Sequence, residues 1–117
     1  MQLKLTVREV DGVHVVDCNG RIVFGEESAT LRDTVKGLIL TERKLVLNLG
    51  GVTYIDSGGL GILVSLYTSA RSAGCSVRLA NLTQRITDIL QVTKLLTVFD
   101  TYESEGVAVA SFAKDAA

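Results

Sequence analysis

The chain has no proline and no tryptophan among its 117 residues, and only one histidine and two cysteines. Without proline there is no proline-rich ligand segment of the extended, polyproline type. Two isolated thiols, Cys18 and Cys75, with no Cys or His neighbour pattern do not make a zinc site, and no metal is expected. They read as small, half-buried packing residues, free of each other in a reducing compartment. Charge of one sign is also missing: 12 Lys and Arg face 13 Asp and Glu, a net charge of −1, with no basic cluster. That excludes a nucleic-acid footprint and gives no support to a membrane surface as partner. No apolar run approaches the roughly 18 residues of a membrane span. The N-terminal MQLKLTVREV alternates polar and apolar residues and lacks a signal-peptide core, so the expected location is the cytoplasm.

What is present is an apolar fraction of 47% with 21% charge, the composition of a folded domain. A chain of this length suits one domain, expected over residues 1–113, with 114–117 fraying. The pattern reads β-β-α-β-α-β-α-β-α. LKLTVRE puts Leu3, Leu5 and Val7 on one face of a strand, and Asp11-Gly12 is a two-residue hairpin signal leading into VHVVDCNGRI. Glu26 to Leu40 carries the helical stripe Leu31, Val35, Leu38, Ile39 behind two acidic residues. KLVLNL, 44–49, suits a central strand covered on both sides. Residues 58–73 form a helix stopped by Gly74; CSVRLAN is a strand; Thr83–Gln91 is a short amphipathic helix. A last strand is expected near Thr97–Phe99 and a terminal helix over 102–112. The fold class is α/β: a hairpin start, then βαβ units, in a mixed sheet packed with about four helices on one face or straddling it.

The most informative stretch is VTYIDSGGLGILV, 52–64: a hydrophobic strand, a sharp turn and a helix, with Asp56 and Ser57 at the junction. Either residue can cap the helix, a role worth about 1 kcal/mol. Two features point further. Gly58, Gly59 and Gly61 strip side chains from around the hydroxyl, although each glycine inside a helix costs roughly 1 kcal/mol against alanine. Val52, Tyr54 and Leu60 can form an apolar rim. A phosphate on Ser57 would be tolerated at a helix N-terminus, yet a docked partner would meet about −1.5 to −2 of charge beside Asp56. Other chemistries fit poorly. IDSGG is not the G-x-S-x-G elbow, and a hydrolytic triad would need His14 to reach Ser57. NLGG and GGLG match neither standard phosphate cradle. The carboxylates are scattered rather than paired.

With these residues in view, the chain resembles the STAS family and, within it, the stand-alone bacterial anti-sigma factor antagonists. The carrying segments are LVLNLGGVTYIDSGGLGILVSLYTSAR, 45–71, and SVRLANLTQRITDILQVTKLLTVFDTYES, 76–104, with GRI at 20–22. The resemblance implies a STAS-like fold and a partner-switching module. The unphosphorylated chain would bind an anti-sigma factor that is also a GHKL-type serine kinase, releasing a sigma factor. That kinase would phosphorylate Ser57 with its own ATP, and a PP2C-type phosphatase would reset it. This chain would be substrate rather than enzyme, with no catalytic residue and no cofactor, and a monomer or weak dimer. Gly58 stands where many members carry a second hydroxyl residue, and Asn48 where an aspartate is common. By position, the partner surface comprises Phe24, Tyr54, Asp56, Ser57, Gly58, Gly59 and Leu60, from the loop at 20–27 and the turn at 54–61, with the loop Asn81–Thr83 nearby. A non-phosphorylated scaffold subunit of a transport or stress-sensing complex is the alternative, and a small hydrolase using Ser57 a third reading.

Overall fold

Five strands and four helices alternate as the pattern requires in a computed structural model that describes residues 3–115. Strands β1 (Lys4–Val10) and β2 (Val13–Ile22) form the hairpin, α1 (Glu26–Ile39) leads to β3 (Lys44–Ile55), and α2 (Ser57–Ser72) leads to β4 (Ser76–Ala80). α3 (Gln84–Val92), β5 (Asp100–Tyr102) and α4 (Glu105–Asp115) complete the chain. Of the tail expected to fray, residues 116 and 117 lie outside the described residues; α4 runs through Asp115.

The sheet order is β1-β2-β3-β4-β5, with β1 antiparallel to β2 and every other pair parallel. The hairpin turn is the two-residue kind that needs left-handed backbone at both positions: Asp11 has φ 52° and Gly12 φ 80°. α2 ends in a Schellman arrangement. Gly74 takes φ 79°, and the Cys75 N–H donates to the Ala70 carbonyl at 2.8 Å.

Alternation along the strands sorts two cores. Val16, Cys18, Leu45, Leu47, Leu49, Val77 and Leu79 pack under α1, α2 and α3. Val13, Val15, Val46 and Ala80 pack under α4 through Ala108, Val109 and Phe112. Three helices therefore cover one face and one helix covers the other. Both thiols are fully buried and free, deeper than the half-burial expected of them. Burial in apolar surroundings pushes the Cys18 thiol up to about 12.

Two regions differ from expectation. The strand placed at Thr97–Phe99 is a turn, and the ladder forms at Asp100–Tyr102 against Arg78–Ala80. Lys94, with φ 63°, ends α3, and the Leu95 and Leu96 N–H groups fold back onto the Leu90 carbonyl. The apolar run after it is spent on packing: Phe99 is buried edge-on to Tyr67, centroids 5.3 Å apart. The terminal helix accordingly starts at Glu105 rather than 102.

The second difference positions the site. β3 does not stop at Leu49 but continues through the Gly50-Gly51 pair to Ile55. Beyond Asn48 it has no partner in β4, whose ladder ends at Ala80. Only β2 follows it, through the pairs Asn19↔Gly51, Gly20↔Val52, Arg21↔Tyr54 and Ile22↔Ile55, with two register shifts in which β3 gains a residue. A two-stranded ribbon thus projects past the five-stranded body and carries the Asp56–Ser57 turn at its tip.

Candidate functional site

The turn is held by one carboxylate. Asp56 has extended backbone (φ −96°, ψ −178°) and is the N-cap of α2: its Oδ1 accepts the Gly59 N–H at 2.8 Å. The same carboxylate accepts the Phe24 N–H, at 3.1 Å to each oxygen. The Asp56 N–H in turn donates to the Ile22 carbonyl at 3.3 Å. Asp56 therefore ties the loop after β2 to the start of α2. The Gly59 N–H above all, then that of Phe24, holds its carboxyl below the ordinary value of 3.8.

Because Asp56 is the cap, Ser57 is not. Ser57 occupies the first helical position, is exposed, and its hydroxyl makes no hydrogen bond to any described residue. This hydroxyl is open to an approaching protein. The helix N-terminus is, however, already serving an anion. The N–H groups that would welcome a phosphate on Ser57 are turned to Asp56, so a phosphoryl group there would stand beside a charged carboxylate and face solvent.

The glycines do not share one purpose. A Cβ at Gly59 would lie 1.9 Å from the Ile22 carbonyl oxygen, so Gly59 lets α2 meet the β2 backbone. A Cβ at Gly58 would lie 2.7 Å from the Phe24 Cβ. At Gly61 a Cβ would meet nothing within 4 Å. Close packing thus explains two of the three glycines read as clearing space for a visitor. Gly51 is likewise a packing glycine, its Cβ position filled by the Asn19 side chain, so NLGG marks a bulge in the ribbon and not a phosphate cradle.

The expected rim is corrected by burial. Val52 and Leu60 are 2% and 9% exposed and belong to the core, while Tyr54 is 41% and Phe24 81% exposed. Of the seven partner-surface residues, Gly59 and Leu60 are buried and support the turn from behind. Phe24, Tyr54 and Ser57 are exposed, and Asp56 and Gly58 are partly covered. In the loop at Asn81–Thr83, Thr83 lines a surface cleft with Arg85, Gly50, Gly51, Val52 and Thr53.

His14 cannot serve Ser57. It pairs with Leu45 at the start of β3, ten residues before Ile55, which is roughly 30 Å along the strand. Its Nδ1 lies 3.2 Å from Glu42 Oε1. Among the described residues no three His, Cys, Asp or Glu side chains gather as metal ligands.

One polar cluster was not foreseen. Arg8 grips Asp17 through Nε at 2.6 Å and Nη2 at 2.9 Å, and also reaches Glu105. Asn48 Nδ2 donates to Glu105 Oε1 at 3.1 Å, while Asn48 Oδ1 accepts the Gly50 N–H at 3.0 Å and Asn81 Nδ2 at 3.2 Å. The cluster pins the start of α4 to β1, β2 and β3 and to Asn81, the residue after β4. An aspartate at 48 would set two carboxylates against each other, so the amide fits this network. The hairpin register, which makes Arg8 and Asp17 diagonal neighbours, was the available signal for its first pair.

Comparison with known proteins agrees with this architecture. The STAS domain model matches residues 4–108. The chain belongs to the STAS domain family. Its relatives include proteins named anti-sigma factor antagonists. It is 32% identical over 108 residues to the anti-sigma-B factor antagonist of Bacillus subtilis, covering 91% of this chain and 97% of that one. An anti-sigma-factor antagonist (STAS) domain protein from Planctomyces limnophilus superposes with a TM-score of 0.80 at 20% identity, over 93% of this chain and 97% of the other. The Bacillus cell fate determinant SpoIIAA in its phosphorylated form superposes with a TM-score of 0.71 at 14% identity, over 93% and 99% of the two chains. No helix among the described residues is long and apolar enough to cross a membrane.

Proposed function

We propose that this chain is an anti-sigma factor antagonist switched by phosphorylation of Ser57. Unphosphorylated, it binds an anti-sigma factor that carries GHKL-type serine kinase activity, and so releases a sigma factor. The Ser57 hydroxyl oxygen attacks the γ-phosphorus of ATP held by that partner, the bond to the β-phosphate bridging oxygen breaks, ADP leaves, and the kinase takes the hydroxyl proton. The product carries a dianion beside Asp56, in a contact that had been close-packed, and the complex separates. A PP2C-type phosphatase returns the hydroxyl. The chain itself contributes no catalysis and needs no cofactor.

The observation that supports this reading best is the Ser57 hydroxyl: exposed, unbonded and relieved of capping by Asp56. The test is incubation with the GHKL-type serine kinases of the source organism and ATP, with the mass of this chain and complex formation read together. One phosphoryl group on Ser57, absent in Ser57→Ala, accompanied by dissociation, is the expected result. A phosphorylated chain that still binds with full affinity sinks the switch, and stable docking with no phosphate transfer favours a scaffold role instead.

A further inference from the structure

Exposed apolar residues occur elsewhere, but Phe24 is held as the others are not. Leu40 and Val92 are each 81% exposed as well, and both stand at or beside helix C-termini. Scattered singly, such residues carry no message. Phe24 is as exposed as they are, yet its backbone is tied to Asp56 and its flank lies against a bare glycine. Its N–H is bonded to both oxygens of Asp56. Its Cα, Cβ and Cδ1 lie 3.2, 2.7 and 3.1 Å from where a side chain at residue 58 would begin.

We propose that Phe24 and Gly58 are a matched pair that sets partner specificity: Phe24 is the aromatic anchor of the binding face, and the bare backbone of Gly58 is its seat. This rests on the binding role assigned above to the Ser57 turn. Rotating the ring cannot clear a Cβ at residue 58, because two of the three close atoms, Cα and Cβ, do not move with the side-chain torsions. The whole loop would have to retreat, and the Asp56 bond opposes that. An exposed aromatic on a backbone tied in place is the kind of residue that dominates a protein interface. The partner accordingly needs an apolar pocket for a phenyl ring beside the kinase's acceptor site. An antagonist with a hydroxyl side chain at residue 58 cannot present an aromatic from this loop in the same place, so the two surfaces would select different anti-sigma factors.

The test is a double-mutant cycle on the unphosphorylated full chain, with Phe24→Ala, Gly58→Ala and both together. The probe is the serine kinase that phosphorylates Ser57 in the assay above. Phe24→Ala is expected to weaken binding at least about ten-fold, on the order of an interface hot spot. Gly58→Ala is expected to weaken it as well, while adding nothing in the Phe24→Ala background. Amide spectra of the free variants check that Gly58→Ala shifts the Phe24 loop and leaves the rest of the fold in place. Near-wild-type binding by Phe24→Ala overturns the pairing, as does a Gly58→Ala loss that persists undiminished without Phe24. A wild-type chain that neither binds nor accepts phosphate overturns the functional reading first, and the pairing with it.

Discussion

The five-stranded body and the two-stranded ribbon are built from the same two central strands but by different rules. In the body, β2 and β3 are flanked on both edges and sandwiched between helices. Side chains alternate between two cores, and any residue of the right size and period would serve. In the ribbon, β3 loses its β4 neighbour, one face keeps its cover through Ile22, Val52, Ile55 and Leu60, and Thr53 and Tyr54 on the other stand exposed. There the fold depends on individual atoms: the Ile22 carbonyl against Gly59, the Asp56 carboxylate between two loops. Bulk hydrophobicity makes the platform, and backbone-level fit makes the site.

The contrast can be broken at either end. The largest loss is expected in the body. Leu63→Ala, at a position 1% exposed, should cost about 2–5 kcal/mol in denaturant unfolding. A much smaller loss would mean that the body collapses to fill space and is less constrained than described. Gly59→Ala should follow, at about 1–3 kcal/mol or more, since the added carbon meets main chain at 1.9 Å and not a movable side chain. Gly61→Ala, two residues on with nothing within 4 Å, should reverse the sign and stabilise by roughly 1 kcal/mol. If it stabilises and yet abolishes partner binding, Gly61 belongs to the interface and the ribbon's working surface extends along α2.

The smallest effect sharpens the comparison by pH. The folded-state carboxyl of Asp56 lies below its ordinary 3.8. Its stabilisation is therefore fully present above the unfolded value and disappears as pH falls through the lower folded one. Asp56→Asn keeps an oxygen for the Gly59 N–H, and asparagine caps about as well as aspartate. At neutral pH the change should cost under about 1 kcal/mol. In acid, melting temperature should fall less steeply for the variant than for wild type. Parallel acid profiles would show that Asp56 does not couple to folding.

Legibility from sequence divides along the same line. Element order, the Asp11-Gly12 hairpin, the Gly74 stop and the α1 stripe were all readable, because each is written in residues near one another in the chain. The Ser57 turn was readable for the same reason. What escaped depends on partners far away. Gly50-Gly51 looked like the end of a strand because nothing local says that β2 continues beside it. Thr97–Phe99 looked like a strand because the apolar run LLTVF does not reveal whether its N–H groups join a ladder or, as at Leu95 and Leu96, fold back on Leu90. Leu60 and Val52 looked like a rim because the depth of the turn is set by Ile22 and Ile55. The three glycines looked alike, and only the approach of Ile22 and Phe24 separates them. Glu105, Asn48 and Arg8 come from three different elements, and only the Arg8–Asp17 diagonal could have been anticipated.

The hairpin tip at Asp11-Gly12 lies at the opposite end of β2 from the Ser57 turn, and both of its residues are exposed. A fluorophore or affinity handle grafted there would ride on the molecule without touching its switch. The protein thus carries a natural attachment point for watching single docking and release events.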